Sequence, residues 1–148
     1  MKEYKIVKNQ TVIVSACLAG VRCRYDGNDN TSESVLDLVR KGDAIPFCPE
    51  VFGGLTTPRP CCELQNGRVM DTDGIDRTDA FLRGAEEGLK LARLAGCTEA
   101  VLKANSPSCG CGRVYDGTFS GNRIPGNGVF AELLLANGFT IRTEEDLD

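Results

Sequence analysis

Cys17, Cys48 and Cys109 each follow a short apolar stretch, at residues 11–16, 44–47 and 100–108. Thiolates are soft ligands, and sulfur-rich donor sets select zinc or iron–sulfur clusters. If the three stretches form neighbouring parallel strands, their carboxyl ends open on one edge of the sheet. Three sulfurs from distant parts of the chain then converge on one point. A metal centre with three protein ligands keeps a position open for substrate, whereas a fully ligated one is structural or carries electrons. Spacing alone leaves the identity of the metal open.

The remaining chemistry is constrained by what is missing. The chain has eight cysteines and no histidine. No Ser-His-Asp triad, Cys-His pair or histidine-ligated zinc can form. Acid–base work falls to carboxylates, lysines, tyrosines or thiols. No C-x-x-C pair occurs, so neither a zinc ribbon nor a thioredoxin-like motif is present. Cys97 stands between a helix and a strand and reads as a small buried hydrophobe. Cys23 and Cys111 lie within loop reach of the three strand-end cysteines, and Cys61 and Cys62 are adjacent.

The elements that must position these residues alternate. Residues 11–16 are β-branched and continuous, as in a strand buried on both faces. A loop over 17–30 follows, then a helix capped by Thr31 or Ser32 and running to Lys41. Residues 43–47 form a second strand. Residues 49–76, with Gly53, Gly54, Pro58, Pro60 and Gly67, read as a long loop holding a small hairpin about Asn66-Gly67. A helix is predicted over 78–95, with apolar residues near helical spacing, and a strand over 99–103. A turn-rich loop spans 105–112, and a hairpin is expected over 114–119 around Asp116-Gly117. A last helix over 129–137 and a strand over 139–142 complete the pattern. Such alternation predicts a small Rossmann-like α/β fold: a mostly parallel sheet flanked by helices, in one domain over 1–148, with its cysteine site at the strand carboxyl ends.

Composition bounds the partners. A net charge of −4 argues against a large nucleic acid, which requires a concentrated basic surface. Lys2, Lys5 and Lys8 ahead of the apolar stretch mimic a lipoprotein signal, but the stretch is shorter than the roughly 7–15 residues of a secretory core. No run approaches the ~20 apolar residues of a membrane span. The expected location is the cytoplasm, where cysteines bind metal or do chemistry more often than they form disulfides. A two-fold homodimer would be unremarkable.

Several blocks carry a resemblance: SACLAG at 15–20, CRYDG at 23–27, CPEVFGGL at 48–55, TPRP at 57–60, KANSPSCG at 103–110, YDG at 115–117 and GNGV at 126–129. In order and across nearly the whole chain, they resemble the signature blocks of the thiouracil desulfidase family, long catalogued as domain of unknown function 523. The resemblance implies a [4Fe–4S] cluster held by Cys17, Cys48 and Cys109, with one iron open. It implies a non-redox desulfidase that replaces the thiocarbonyl sulfur of a thiouracil base or 4-thio-UMP by water oxygen, releasing sulfide. A match to SPSCG places the third ligand at Cys109 rather than Cys111. Cys61-Cys62 departs from the family, where Pro and Ala are commoner.

Within that reading, an open iron is a Lewis acid toward sulfur. Glu50, two residues after Cys48, is the expected activator of water. Ser106, three residues before Cys109, is expected to orient substrate or relay a proton, against a turn hydroxyl bonded to its own backbone. Tyr25 and Asp26 are expected on a pocket wall. Arg59 and the backbone at Gly126 and Gly128 are expected to receive a phosphate. Lys103 is either a strand-end charge or a pocket cation. The alternative from another class is a non-catalytic iron–sulfur or zinc-binding, redox-sensing module.

Overall fold

The computed structural model of the chain describes residues 11–147; Lys2, Lys5 and Lys8 lie outside the described residues. Its centre is a four-stranded, all-parallel sheet of β1 (Val12–Ser15), β2 (Ala44–Phe47), β5 (Glu99–Leu102) and β8 (Thr140–Thr143), in the order β2-β1-β5-β8. The expected mixed α/β fold with a mostly parallel central sheet is therefore the observed one. β1 has a partner on each side, which is why its sequence is continuously apolar: Ile13 and Val14 are fully buried.

Strand side chains alternate between two faces. Val12 and Val14 of β1 and Val101 of β5 pack with Val35 and Leu38 of α1 (Glu33–Arg40). Ile13, Ala100 and Leu102 point the other way. They meet Ala85 and Ala92 of α3 (Thr78–Leu94), and Phe130, Ala131 and Leu134 of α4 (Val129–Ala136). Burying each of the larger residues stabilises the fold by about 1.5–3 kcal/mol. Among the described residues, no helix is long and apolar enough to cross a membrane.

The stretch read as a long loop contains more structure than its Pro and Gly content indicates. Pro49–Phe52 forms one helical turn, α2, with Cys48 as its N-cap and Pro49 at its first position. Proline is favoured there because that N–H has no helical partner. α2 lies backbone to backbone against α3: a Cβ on Gly84 would run into the Pro49 carbonyl, and one on Gly53 into the Ala80 carbonyl. The hairpin about Asn66-Gly67 is present as β3 (Cys62–Gln65) and β4 (Arg68–Asp71), with both turn residues at positive φ.

A second hairpin differs from expectation. β6 (Arg113–Tyr115) pairs with β7 (Arg123–Pro125), so the connection spans 116–122 rather than turning tightly at Asp116-Gly117. The reason is that the Gly117 amide bonds Glu63 of β3 at 3.0 Å and its carbonyl accepts the Gln65 amide at 2.6 Å. The segment is tied to the other hairpin instead of to itself.

Candidate active site

A cavity of about 470 Å³ opens at the carboxyl ends of β1, β2 and β5. Cys17, Cys48 and Cys109 all line it, each held by a different device. Cys17 stands in a 3-10 turn, Ala16–Ala19, stopped by Gly20 at φ 89°. Its carbonyl accepts the amides of Gly20 and Asn30. Cys48 is fixed as the cap of α2. Cys109 is 4% exposed and follows a turn in which Ser106 Oγ accepts the amides of Ser108 and Cys109 at 3.1 and 3.0 Å. Gly128 lets α4 approach this turn: a Cβ there would come within 2.6 Å of the Ser108 carbonyl.

The three sulfurs sense one another. Burial pushes the Cys109 thiol up, and negative charge on Cys17 and Cys48 acts in the same direction. Hydrogen bonds from Ser15 and Ser108 oppose the rise. Cys48 is pulled down to about 7, chiefly by a hydrogen bond from the Cys23 thiol, with the Val51 amide and Arg59 assisting. Cys17 is lowered too, first by Cys23, then by Asn30 and Lys103. Cys23 keeps its proton because it shares it with both neighbours. Two strand-end cysteines are thus biased toward the thiolate that metals bind, and the third must lose a proton on ligation.

Among the described residues, no three His, Cys, Asp or Glu side chains are grouped as a single metal ion requires. Three strand-end thiols around a larger space fit a multinuclear, sulfur-bridged body, in keeping with the soft donor set. Cys111 packs against the core and is not among the cavity-lining residues, whereas Cys109 is. Cys97 is a 4% exposed core residue. Cys61 and Cys62 also line the cavity, and burial pushes both thiols up, Cys62 to about 12; they stand at the start of β3 rather than at a carboxyl end of the parallel sheet.

Glu50 projects from the first turn of α2 into the same cavity. Its Oε1 accepts Arg59 Nε at 3.1 Å and its Oε2 accepts Ser108 Oγ at 2.8 Å. Ser106 lines the cavity, but its hydroxyl serves the two backbone amides of its own turn. Ser108 is the hydroxyl that touches Glu50, and its Oγ also lies 3.0 Å from Ser106 Oγ and 3.7 Å from Cys109 Sγ. The sequence block contained both serines, and only the direction of the turn distinguishes them.

The expected substrate-contacting residues are placed unequally. Tyr25 lines the cavity and is 42% exposed, with the Arg24 guanidinium 5.9 Å from its ring centre. Asp26 is not a cavity residue: it bonds Arg24 and the Asn28 amide and so shapes the 24–28 turn. Arg59 reaches the cavity, but its guanidinium is committed to Glu50, the Thr56 and Cys23 carbonyls and the Thr57 hydroxyl. Gly126 and Gly128 lie off the wall, and their amides bond the carbonyls of Gly112 and Gly110. Lys103 pairs with Glu144 at 2.7 Å while lining the cavity. Cys23, Glu63 and Tyr115 join the wall without having been singled out for it.

Comparison with known proteins finds a matching family, a curated relative and a similar solved structure. The family model described as 2-thiouracil desulfurase matches residues 12–146. YbbK, an uncharacterised protein of Bacillus subtilis (strain 168), is 38% identical over 147 residues, covering 93% of this chain and 97% of its own. The solved structure of TudS (DUF523Vcz), a [4Fe–4S]-dependent thiouracil desulfidase, superposes with a TM-score of 0.89 at 44% identity, covering 94% of this chain and 93% of that one.

Proposed function

The chain belongs to the 2-thiouracil desulfurase family, and from that premise we propose that it is an iron–sulfur-dependent desulfidase that exchanges the thiocarbonyl sulfur of a small thiolated pyrimidine for the oxygen of water. The observation that carries this reading is the meeting of Cys17, Cys48 and Cys109 with Glu50 on one cavity. Cys17, Cys48 and Cys109 would hold a [4Fe–4S] cluster. When bound, it supplies an open, thiophilic iron that acts as a Lewis acid on the thiocarbonyl.

The protein's part is positioning and proton transfer. Arg59 fixes one oxygen of Glu50, and Ser108 meets the other. In this placement Glu50 takes a proton from the attacking water. Ser108, within reach of both Glu50 and Cys109, relays a proton toward the departing sulfur. The balance is one thiocarbonyl and one water in, one carbonyl and one hydrogen sulfide out, with no change of oxidation state. Tyr25 and Tyr115 supply aromatic surface for a planar base.

The test is anaerobic reconstitution with iron and sulfide, followed by sulfide release from 2-thiouracil, 4-thiouracil and 4-thio-UMP. A brown protein with equal iron and labile sulfide that releases sulfide is expected. A protein that stays colourless overturns the reading. Glu50→Gln separates an enzyme from a sensor: sulfide release falls about 10²–10⁴-fold while the cluster absorbance persists. An unchanged rate in that variant removes Glu50 from the mechanism.

A further inference from the structure

Glu63 is a carboxylate the proposed mechanism does not use. It sits on β3, is 5% exposed, and lines the cavity that holds Cys17, Cys48 and Cys109. Its Oε1 accepts two amides, from Gly117 at 3.0 Å and Phe119 at 3.1 Å. Its Oε2 has no hydrogen bond or ion pair among the described residues. The cations around the cavity are engaged elsewhere: Arg24 with Asp26, Arg59 with Glu50, Lys103 with Glu144. A buried carboxylate oxygen with no donor is costly. Glu63 lines the cavity, and Oε2 is the carboxylate oxygen that the 117–119 turn leaves free for a ligand there.

The oxygen is also pre-set in direction. Gly117 is at φ 90° and packs so closely that a Cβ would meet the Leu64 carbonyl at 2.6 Å, while Gln65 holds the Gly117 carbonyl. With Oε1 locked to this turn, the carboxylate cannot rotate without breaking two hydrogen bonds from backbone N–H groups. Such preorganisation is what a recognition group needs.

Resting on the desulfidase reading, we propose that Glu63 determines specificity: its free oxygen accepts a hydrogen bond from a ring N–H of the substrate, so the cavity selects cyclic thioamides and thioureas that keep that N–H. A free acceptor oxygen favours the N–H form of a pyrimidine thione and is left unsatisfied by an N-alkylated ring. Sites built on such a hydrogen bond discriminate strongly, because rejection includes the cost of the stranded protein group.

Glu63→Gln is the decisive variant. Its amide carbonyl can still accept the Gly117 and Phe119 amides, so the turn is kept, while an NH₂ donor replaces the free acceptor. Uracil and 2-thiouracil binding is measured by calorimetry alongside sulfide release from 2-thiouracil and its N1- and N3-methyl derivatives. The wild type is expected to disfavour one methyl isomer by about 10- to 100-fold. The variant is expected to lose a similar factor for 2-thiouracil, mostly in KM, and to bind the two forms almost equally. Equal binding and equal discrimination by wild type and variant overturn the proposal, as does wild-type binding insensitive to either methyl group. If the loaded protein releases no sulfide yet binds uracil in a Glu63-dependent way, the desulfidase reading fails and the recognition role stands.

Discussion

Ser108 Oγ donates to Glu50 Oε2 at 2.8 Å, joining the loop before Cys109 to the one-turn helix after Cys48. Two candidate cluster ligands are therefore linked by a carboxylate–hydroxyl pair next to the sulfurs themselves. Arg59 completes the arrangement, since it grips Glu50 and the Cys23 carbonyl together.

The two serines of the SPSCG block are expected to behave differently. Ser108→Ala removes the contact to Glu50 and leaves the turn amides satisfied, so sulfide release falls while iron content and melting temperature change little. Ser106→Ala strands the Ser108 and Cys109 amides, each worth about 1–3 kcal/mol when left unpaired, so stability and iron retention fall together. Thermal denaturation, iron assay and turnover of both variants check the assignment. A Ser108→Ala enzyme with undiminished turnover would contradict it.

Alanine at Cys17, Cys48 or Cys109 should each abolish cluster uptake, read as iron content and visible absorbance after anaerobic reconstitution. Cys111→Ala should retain iron, because that residue packs on the core and not on the cavity. Cys97→Ala should retain it too, with a modest loss of stability from its 4% exposed position. Iron binding that survives loss of Cys109 but not of Cys111 would exchange the two.

Much of this arrangement is legible in the chain before folding. β1 announces itself because a central parallel strand needs apolar residues on both faces, and Val12, Ile13 and Val14 supply them. α3 is legible because Phe81, Ala85 and Ala92 recur on one helical face. α2 is hidden because one helical turn shows no period, and its place is set by close backbone contacts, Gly53 against Ala80 of α3 and Gly84 of α3 against Pro49. The commitment of Arg59 to Glu50 is hidden for a related reason: nothing in TPRP says whether a guanidinium faces ligand or protein. Glu63 is harder still, since its partners Gly117 and Phe119 lie more than fifty positions away and join it through a loop of unusual path.

Asp76 gives the fold a defined response to acid. Hydrogen bonds from Thr78, through side chain and amide, and then Arg68, hold its carboxyl down at about 2. A carboxyl depressed in the folded state stabilises it fully above the unfolded value of 3.8, and that contribution is lost as pH falls through about 2. Carbon-detected NMR should therefore show Asp76 titrating near pH 2. Asp76→Asn, which can still accept the Thr78 amide, should flatten this part of the pH dependence of the denaturation midpoint between pH 4 and 2. A titration midpoint near 4 would remove the linkage.

The glycine contact between α2 and α3 is where fold and chemistry are most tightly coupled. A methyl group on Gly84 would overlap the Pro49 carbonyl, and the obstacle is backbone rather than a flexible side chain. Overpacking of that kind typically costs about 1–3 kcal/mol and is relieved by moving the smaller element. The smaller element here is α2, which carries Cys48 at its cap and Glu50 in its first turn. Gly84→Ala is therefore expected to lower the melting temperature and to displace Cys48 and Glu50 from the opposite wall formed by Ser108 and Cys109. Gly74→Ala serves as the comparison, because alanine at φ 78° is strained and costs stability, yet its added Cβ meets nothing within 4 Å and α2 is untouched. Iron uptake should fall for Gly84→Ala and persist for Gly74→Ala even where both lose stability. Equal iron content in the two variants would show that α2 does not depend on the close approach to α3.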